Sequence, residues 1–156
     1  MKELTLCFLK TKNQICLGYK KRGFGCDKWN GFGGKLDDGE SILEATIREL
    51  KEEVEVLANQ SDFKKVAEFS FIYEDTGEML VHVFFIDKWN GEPQETEEMR
   101  PAWFDLSKIP YQKMWEDDQH WLPRVLNGEK LTGTVWFNKD GHTIKDMVWH
   151  EVKDFN

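Results

Sequence analysis

The chain alternates short apolar runs with polar, glycine-containing turns, a pattern typical of β-strands joined by hairpins. Strands are predicted at residues 4–9, 14–19, 66–73, 79–89, 99–105, 132–138 and 142–152. Residues 29–35 are rich in glycine and are expected to be extended. Turn residues at Lys12-Asn13, Asp75-Thr76-Gly77 and Lys139-Asp140-Gly141 lie between consecutive strands. The pattern therefore predicts a β-sheet as the main element.

Helical periodicity occurs at two places between these strands. Residues 41–54 align their apolar side chains on one stripe, and Ser41 with Glu44 predicts a capping box at the start. A second helix is predicted at residues 121–126, where Pro123 is tolerated only because it lies near the first turn. We therefore expect an α/β (α+β) fold, a mixed β-sheet sandwiched between helices, formed as a single domain over residues 1–156.

Composition narrows the class of protein. Hydrophobic residues are 40% and charged residues 32% of the chain, as in soluble globular proteins. No apolar run approaches the roughly 20 residues that span a bilayer, and Glu3 and Lys10 argue against a signal peptide. Cys7, Cys16 and Cys26 form no C-x-x-C pair, which disfavours a disulfide framework or a zinc site. We expect a cytoplasmic monomer with no membrane partner.

Acidic charge is concentrated on the first helix. The formal net charge is −8, which disfavours nucleic acid as a partner, although divalent cations can bridge an acidic protein to a small polyphosphate. Glu49, Glu52 and Glu53 share an arc about 100° wide on a helical wheel, where they repel one another. Mg²⁺, with Mn²⁺ as a substitute, would relieve that repulsion. A solvent-facing acidic surface is the open alternative.

The spacing around this arc is more specific than the arc itself. It resembles the Nudix box of the Nudix hydrolases, G-x5-E-x7-R-E-U-x-E-E-x-G-U, where U is a bulky aliphatic residue. The matching residues are Gly34, Glu40, Arg48, Glu49, Leu50, Glu52, Glu53 and Val56. Glu55 departs from the pattern, because it stands where a glycine suits the left-handed turn that ends the helix. The departure puts the helix exit in doubt more than the chemistry.

The resemblance to Nudix hydrolases implies roles for the matching residues. The expected metal ligands are Glu49, Glu52 and Glu53, assisted by the Gly33 carbonyl. Arg48 would orient these carboxylates through charge-assisted hydrogen bonds, and Glu40 would brace the loop to the helix. An isolated surface ion pair is the open alternative for Arg48 and Glu40.

Glu98 is the last of the residues expected to act in catalysis. It resembles a family position near the metals, where it would be an outer metal ligand or a base. A place in a solvated charge run is equally open, because Glu98 follows other acids from residue 95 onwards.

Stretches outside the box resemble the oxidised-purine nucleoside triphosphatases, a branch of the Nudix family with MutT as a bacterial homologue. They include residues 18–25, 29–35, 81–84, 98–101 and 114–118. Glu116 departs from this branch, which has proline there. The resemblance implies that the substrate is bound by Thr5, Lys20, Phe24, Asn30, Phe32, Gly33, Gly34, Lys35, Phe71, Met99, Trp115, Glu116, Asp117 and Asp118. Trp115 and Phe71 would wall the base, and Lys20 would neutralise phosphate.

The chemistry of the aspartate pair fits a purine. Ionised carboxylates accept the N–H donors of a guanine-type base, and two adjacent carboxylates resist double ionisation. A protonated aspartate would instead donate to an adenine-type base. Capping of the second helix is an open alternative for Asp117 and Asp118. Asn30 is open in the same way, because it would either hold another edge of the purine or serve as a turn residue.

These inferences together predict a Mg²⁺-dependent hydrolase. Its substrates would be oxidised purine nucleoside triphosphates, such as 8-oxo-dGTP and oxidised dATP, which are cleaved to the monophosphate and pyrophosphate. This reaction would remove damaged nucleotides from the pool used for DNA synthesis. The alternatives are Nudix chemistry on ordinary dNTPs, ADP-ribose or dinucleoside polyphosphates, and a non-catalytic nucleotide sensor.

Overall fold

The computed structural model describes residues 2–155 and confirms the predicted strands and helices, with shifts of a few residues at their ends. The helices are α1 (Ile42–Val54) and α2 (Asp118–Leu126). The strands are β1 (Lys2–Lys10), β2 (Gln14–Lys20), β3 (Trp29–Asn30), β4 (Phe32–Lys35), β5 (Phe63–Tyr73), β6 (Gly77–Ile86), β7 (Met99–Asp105), β8 (Lys130–Phe137) and β9 (Ile144–Val152). No helix within residues 2–155 has the length and apolar character needed to cross a bilayer.

The strands form one mixed sheet, as predicted. Its main path runs β3-β2-β1-β6-β5-β8-β9, while β4 also pairs with β1 and β7 with β2. The pairs β1–β6 and β5–β8 are parallel, and the other pairs are antiparallel. Parallel pairing needs long connections between the partners, so strands that are distant in sequence lie side by side at the centre.

The two helices cover opposite faces of this sheet. Successive side chains of a strand point to opposite sides, so β1 contributes to two separate hydrophobic clusters. Phe8 packs in the cluster that contains Trp121 of α2. Its neighbour Leu9 packs in the cluster that contains Leu50 and Val54 of α1. The sheet is therefore sandwiched between helices, and each face has its own core.

The start of α2 corrects the sequence prediction. The helix begins at Asp118 rather than Trp121, so Pro123 lies inside the helix and not near its first turn. Proline lacks an N–H, and the Gln119 carbonyl one turn earlier therefore loses its helical partner. Gln119 is exposed, so water can take that place. The predicted start lay three residues too far along the chain, because the polar residues at the start of the helix interrupt its apolar periodicity.

The residues at the start of α1 suit the backbone conformation there, whereas the residue at its end does not. At the start, Ser41 Oγ accepts a hydrogen bond from the Glu44 N–H (3.1 Å), and Glu44 Oε1 accepts one from the Ser41 N–H (2.9 Å). This is the predicted capping box. At the end, Glu55 adopts the left-handed conformation with φ 61° and ψ 30°. The left-handed turn thus persists without glycine, and it costs about 1 kcal/mol in a residue that carries a Cβ.

Replacing Glu55 should reveal this strain. We expect Glu55→Gly to raise the free energy of unfolding by about 1 kcal/mol, because glycine adopts positive φ without a Cβ clash. Urea unfolding, with an unchanged m-value, is the measurement. Glu55→Ala is the matched control, since it removes the charge and keeps the Cβ, and it should give no comparable gain. Equal stabilisation by both substitutions would mean that the charge and not the backbone is the cause.

Candidate active site

Two glycines of β4 allow a close approach between the strand and its neighbours. Gly33 pairs with Leu6 of β1, and a Cβ on Gly33 would lie 1.8 Å from the Thr5 carbonyl oxygen. A Cβ on Gly34 would lie 2.6 Å from Glu49 Oε1. Any side chain at either position would therefore collide with its surroundings. Glycine lets the β4 backbone lie directly against the carboxylates of α1.

Arg48 holds several of these groups together. Its Nε and Nη2 donate to the two carboxylate oxygens of Glu40, at 2.7 and 2.9 Å. Nη1 donates to Glu49 at 3.0 Å and to Glu52 at 3.2 Å. Nη2 also donates to the Lys35 carbonyl at 3.0 Å. One half-buried guanidinium thus connects the loop before α1, the end of β4 and two carboxylates of the helix, which is more than a surface ion pair does.

Glu53 is the most buried of the three clustered glutamates. Its side chain is 3% exposed, and Oε1 accepts a hydrogen bond from the Gly33 N–H at 2.7 Å. Burial raises the pKa of Glu53 well above its usual range, and the charge of Glu49 raises it further, while the Gly33 N–H lowers it. Burial also raises the pKa of Glu49, against the effect of Arg48. Positive charge between these carboxylates would offset both the burial and the repulsion.

The donor set fits a hard divalent cation. Carboxylate and carbonyl oxygens are the ligands that Mg²⁺ and Mn²⁺ prefer, and Glu49, Glu52, Glu53 and the Gly33 carbonyl supply them. Within residues 2–155, no three acidic, histidine or cysteine side chains converge on one point in this conformation. Glu52 instead turns towards Arg48, and its side chain is 50% exposed. A half-exposed side chain is free to rotate towards a cation.

A cavity of about 540 Å³ connects Glu53 with the aspartate pair. Most residues that the sequence predicts to bind substrate lie on its wall, namely Thr5, Lys20, Phe24, Asn30, Gly33, Gly34, Lys35, Phe71, Met99, Trp115, Asp117 and Asp118. Glu53 lies on the same wall. We call the part formed by Lys20, Gly33, Gly34 and Glu53 the glutamate region, and the part formed by Trp115, Asp117 and Asp118 the aspartate region.

The aspartate pair is almost fully buried. Asp117 is 2% and Asp118 7% exposed, and Asp117 Oδ2 accepts a hydrogen bond from Trp121 Nε1 at 2.9 Å. Burial and the charge of Asp117 raise the pKa of Asp118 well above its usual range. Asp117 is the N-cap residue of α2, but its side chain makes no capping hydrogen bond. The capping alternative is therefore not supported, and burial disfavours the charged form of both carboxyl groups.

Trp115 lies against two loops from distant parts of the chain. Its ring centroid lies 5.1 Å from that of Phe24 and 5.4 Å from the stacked ring of His142. Lys28 Nζ lies 5.4 Å from the Trp115 ring centroid, a cation–π distance. A Cβ on Gly25 would lie 3.1 Å from Trp115. These contacts hold one aromatic wall of the cavity in place.

Two polar residues on the wall are partly occupied by protein partners. Asn30 Nδ2 donates to the Lys28 carbonyl at 2.9 Å, which leaves the amide oxygen and one N–H for a ligand. The Thr5 and Thr46 hydroxyls share a short hydrogen bond. Since Thr46 Oγ1 donates to the Ile42 carbonyl at 2.8 Å, Thr5 is the donor of that pair. Thr5 can thus only accept from a ligand, and Thr46 is a support that sequence reasoning missed.

Six predicted site residues lie off the cavity wall. Arg48, Glu49 and Glu52 belong to the network behind Glu53, and the other three are Phe32, Glu116 and Glu98. Phe32 is fully buried among the residues packed under α1, since strand alternation turns it away from the cavity, and this corrects its prediction as a substrate contact. Glu116 is also absent from the wall, although its neighbours Asp117 and Trp115 are present. Glu98 lies outside, near Arg22 (3.6 Å), but close enough for its charge to raise the pKa of Glu53.

The cavity also contains aromatic residues that sequence reasoning missed. Tyr73, Phe69 and Phe137 line it together with Phe71. The period of two along β5 could have indicated Phe69 and Tyr73, because both share a face with Phe71. Phe137 at the end of β8 carries no such signal, since an aromatic residue in a strand is usually part of the core.

Comparison with known proteins identifies the class. Residues 4–125 match the NUDIX domain, so the chain belongs to the Nudix family and is a Nudix hydrolase. It is 45% identical over 157 residues to the oxidized purine nucleoside triphosphate hydrolase of Danio rerio, an alignment that covers 98% of this chain and 95% of that protein. The protein of the same name from Mus musculus is 41% identical over 152 residues, covering 97% of this chain and 96% of its own.

A solved structure supports the fold independently. The mMutator MutT protein from Bacillus halodurans aligns with a TM-score of 0.82 and 24% identity, covering 96% of this chain and 97% of its own. At this identity the likeness concerns the fold alone. Nudix hydrolases use divalent metal ions, which agrees with the oxygen donors that α1 and β4 supply.

The network around Arg48 leads to a testable prediction. We expect Arg48→Lys to lower turnover about 10–100-fold, because an ammonium group cannot hold Glu40 bidentately and also contact Glu49 and the Lys35 carbonyl. Steady-state hydrolysis at saturating Mg²⁺ is the measurement. Arg124→Lys is the matched control. Arg124 Nε donates to both carboxylate oxygens of Glu129, at 3.2 and 3.1 Å, and Arg124 does not line the cavity. Similar losses in both variants would contradict a role specific to Arg48.

Proposed function

We propose that the protein hydrolyses oxidised purine nucleoside triphosphates, such as 8-oxo-dGTP and oxidised dATP, with Mg²⁺ as its cofactor. The observation that carries this proposal is that one cavity contains both the glutamate region and the aspartate region. The glutamate region has oxygen ligands for a cation that binds a polyphosphate, and the aspartate region has carboxyl groups and an aromatic ring that suit a purine. Two relatives that are named oxidized purine nucleoside triphosphate hydrolase and align over nearly the full chain support it.

The reaction breaks one phosphoanhydride bond. The oxygen of a water molecule forms a bond to the α- or the β-phosphorus, and the bond between that phosphorus and the oxygen that bridges the two breaks. The bridging oxygen leaves with the electron pair, the products are the nucleoside monophosphate and pyrophosphate, and the proton of the water passes to a base or to solvent. A bound Mg²⁺ would supply charge neutralisation and would lower the pKa of water.

The protein's own residues contribute position and charge in the glutamate region. Glu49, Glu52, Glu53 and the Gly33 carbonyl would hold the cation, and Arg48 would keep Glu49 oriented. Lys20 lines the cavity close enough for its charge to lower the pKa of Glu53, so a phosphate beside Glu53 would meet a cation. Electrostatic stabilisation of this kind usually carries most of the rate in phosphoryl transfer.

The aspartate region would select the base. Asp117 and Asp118 are buried carboxyl groups on the cavity wall, and Trp115 and Phe71 provide aromatic surface for a planar ring. A buried polar group left without a partner is costly, so a base that lacks the matching donors would be rejected. This argument favours a substrate whose base presents N–H donors to the aspartate pair, as a guanine-type base does.

The first test is removal of one charge in the glutamate region. We expect Glu53→Gln to lower kcat for 8-oxo-dGTP at least ~100-fold in a pyrophosphate-release assay with Mg²⁺. The fold should persist, because the amide oxygen of glutamine can still accept the Gly33 N–H, and a thermal melt checks this. Near-normal turnover in a folded variant would refute the assignment. Absence of Mg²⁺-dependent turnover in the wild type would favour a nucleotide sensor instead.

The second test follows from the raised pKa of Asp118. Below that pKa the carboxyl donates to an adenine-type base, and above it the carboxylate accepts from a guanine-type base. The ratio of kcat/KM for 8-oxo-dGTP to that for oxidised dATP should therefore rise with pH between 6 and 9, while effects shared by both substrates cancel. Parallel profiles would contradict a proton switch. Asp118→Ala should abolish the trend and the preference over dGTP and ADP-ribose; unchanged preferences would favour a different substrate class.

A further inference from the structure

Tyr73 is a cavity residue for which the chemistry proposed above has no use. It is the last residue of β5, and its ring stacks on Phe137 of β8 with a centroid distance of 4.8 Å and an interplanar angle of 6°. Phe137 in turn packs edge-on against Phe71 at 5.6 Å. Tyr73 and both phenylalanines line the cavity. The stacked pair therefore fixes the direction of the phenol within the cavity wall.

Tyr73 shares the cavity wall with the aspartate region. Burial raises the pKa of Tyr73 to about 12, and the charge of Asp117 contributes to the shift. The phenol therefore lies within electrostatic reach of Asp117 and keeps its proton at neutral pH. Among residues 2–155, no group forms a hydrogen bond with this hydroxyl, and the hydroxyl is not fully buried. A neutral O–H of a residue on the same cavity wall as the acidic pair is thus available to a ligand.

The purine edge explains what such a hydroxyl can do. In a guanine-type base, N1 and the 2-amino group present N–H donors, and these suit the carboxylates. The adjacent atom on the same edge is the oxygen on C6, which needs a donor that an ionised carboxylate cannot supply. An adenine-type base carries an amino group on C6 and needs an acceptor there. A hydroxyl can donate or accept, so one phenol serves both kinds of base.

We propose that Tyr73 is a specificity-determining residue that forms a hydrogen bond with the substituent on C6 of the purine, beside the contacts of Asp117. The proposal rests on the proposed function in one respect, because it requires the base to lie in the aspartate region. The Phe137 ring holds the phenol in place, so little conformational freedom is lost when the hydrogen bond forms. The role concerns base recognition and not the cleavage step.

The test is a double-mutant cycle in which one variant lacks the Tyr73 hydroxyl and one ligand lacks the substituent on C6. Isothermal titration calorimetry measures Kd for 8-oxo-dGMP and for its analogue with hydrogen on C6, with the wild type and with Tyr73→Phe. The substitution keeps the ring that stacks on Phe137 and removes only the hydroxyl. We expect Kd for 8-oxo-dGMP to rise roughly three- to tenfold and Kd for the analogue to change less than about twofold. With the triphosphate, KM should rise and kcat should not change.

Tyr111 provides a matched control. Burial and the charge of Asp118 raise its pKa to about 12, so its electrostatic surroundings resemble those of Tyr73. Tyr111 does not line the cavity, however, and packs against the core on the α2 side. Tyr111→Phe should therefore leave the preference between the two ligands unchanged. An equal loss of preference in both variants would mean that the effect passes through the aspartates, and it would overturn the assignment.

The remaining outcomes are also decisive. Equal weakening of both ligands by Tyr73→Phe would indicate a purely structural role, and no weakening would exclude a contact; either overturns the proposal. If the wild type does not hydrolyse 8-oxo-dGTP, the proposed function is refuted. If Tyr73→Phe nevertheless loses affinity for 8-oxo-dGMP alone, the assignment of Tyr73 is retained. Failure of the wild type to bind 8-oxo-dGMP would refute both.

Discussion

Burial of one carboxylate beside another is the constraint on which the structure of the site depends. Glu53 is 3% exposed and lies within electrostatic reach of Glu49, so its charge needs compensation from the protein. The Gly33 N–H provides part of it at 2.7 Å, and this contact is possible only because β4 has no side chain there. Arg48 restrains Glu49 from the other side. The glycine strand, the helix and the arginine network are thus one electrostatic unit.

Local signals in the sequence predicted most of this unit. The capping box at Ser41 and Glu44, the apolar stripe of α1 and the Nudix-box spacing all act within one short segment, where sequence distance determines spatial distance. The contact of Arg48 with Glu40 joins two positions of the same box, only eight residues apart. The strands were predictable too, since hairpins pair neighbours in the chain.

The other parts depend on distant contacts that no local pattern encodes. Tyr73 and Phe137 meet only because β5 and β8 pair in parallel. The stacking of His142 on Trp115 joins a hairpin turn to a loop before α2, and neither segment is periodic. Phe32 resembled a substrate contact by its position next to the glycines, yet alternation along β4 turns it into the core. Sequence therefore predicted the glutamate region and the aspartate pair, but it did not predict the aromatic residues that line the cavity with them.

This difference in how the two regions are built has an evolutionary consequence. Residues 33–53 supply all of the glutamate region except Lys20, whereas the aspartate region and the aromatic residues around it come from the loop before α2, the start of α2, β5 and the end of β8. Substitutions in those dispersed segments can alter which base is accepted without disturbing the groups that act on the phosphates. A lineage that carries this fold can therefore acquire new substrates in small steps, while the hydrolytic segment is inherited whole.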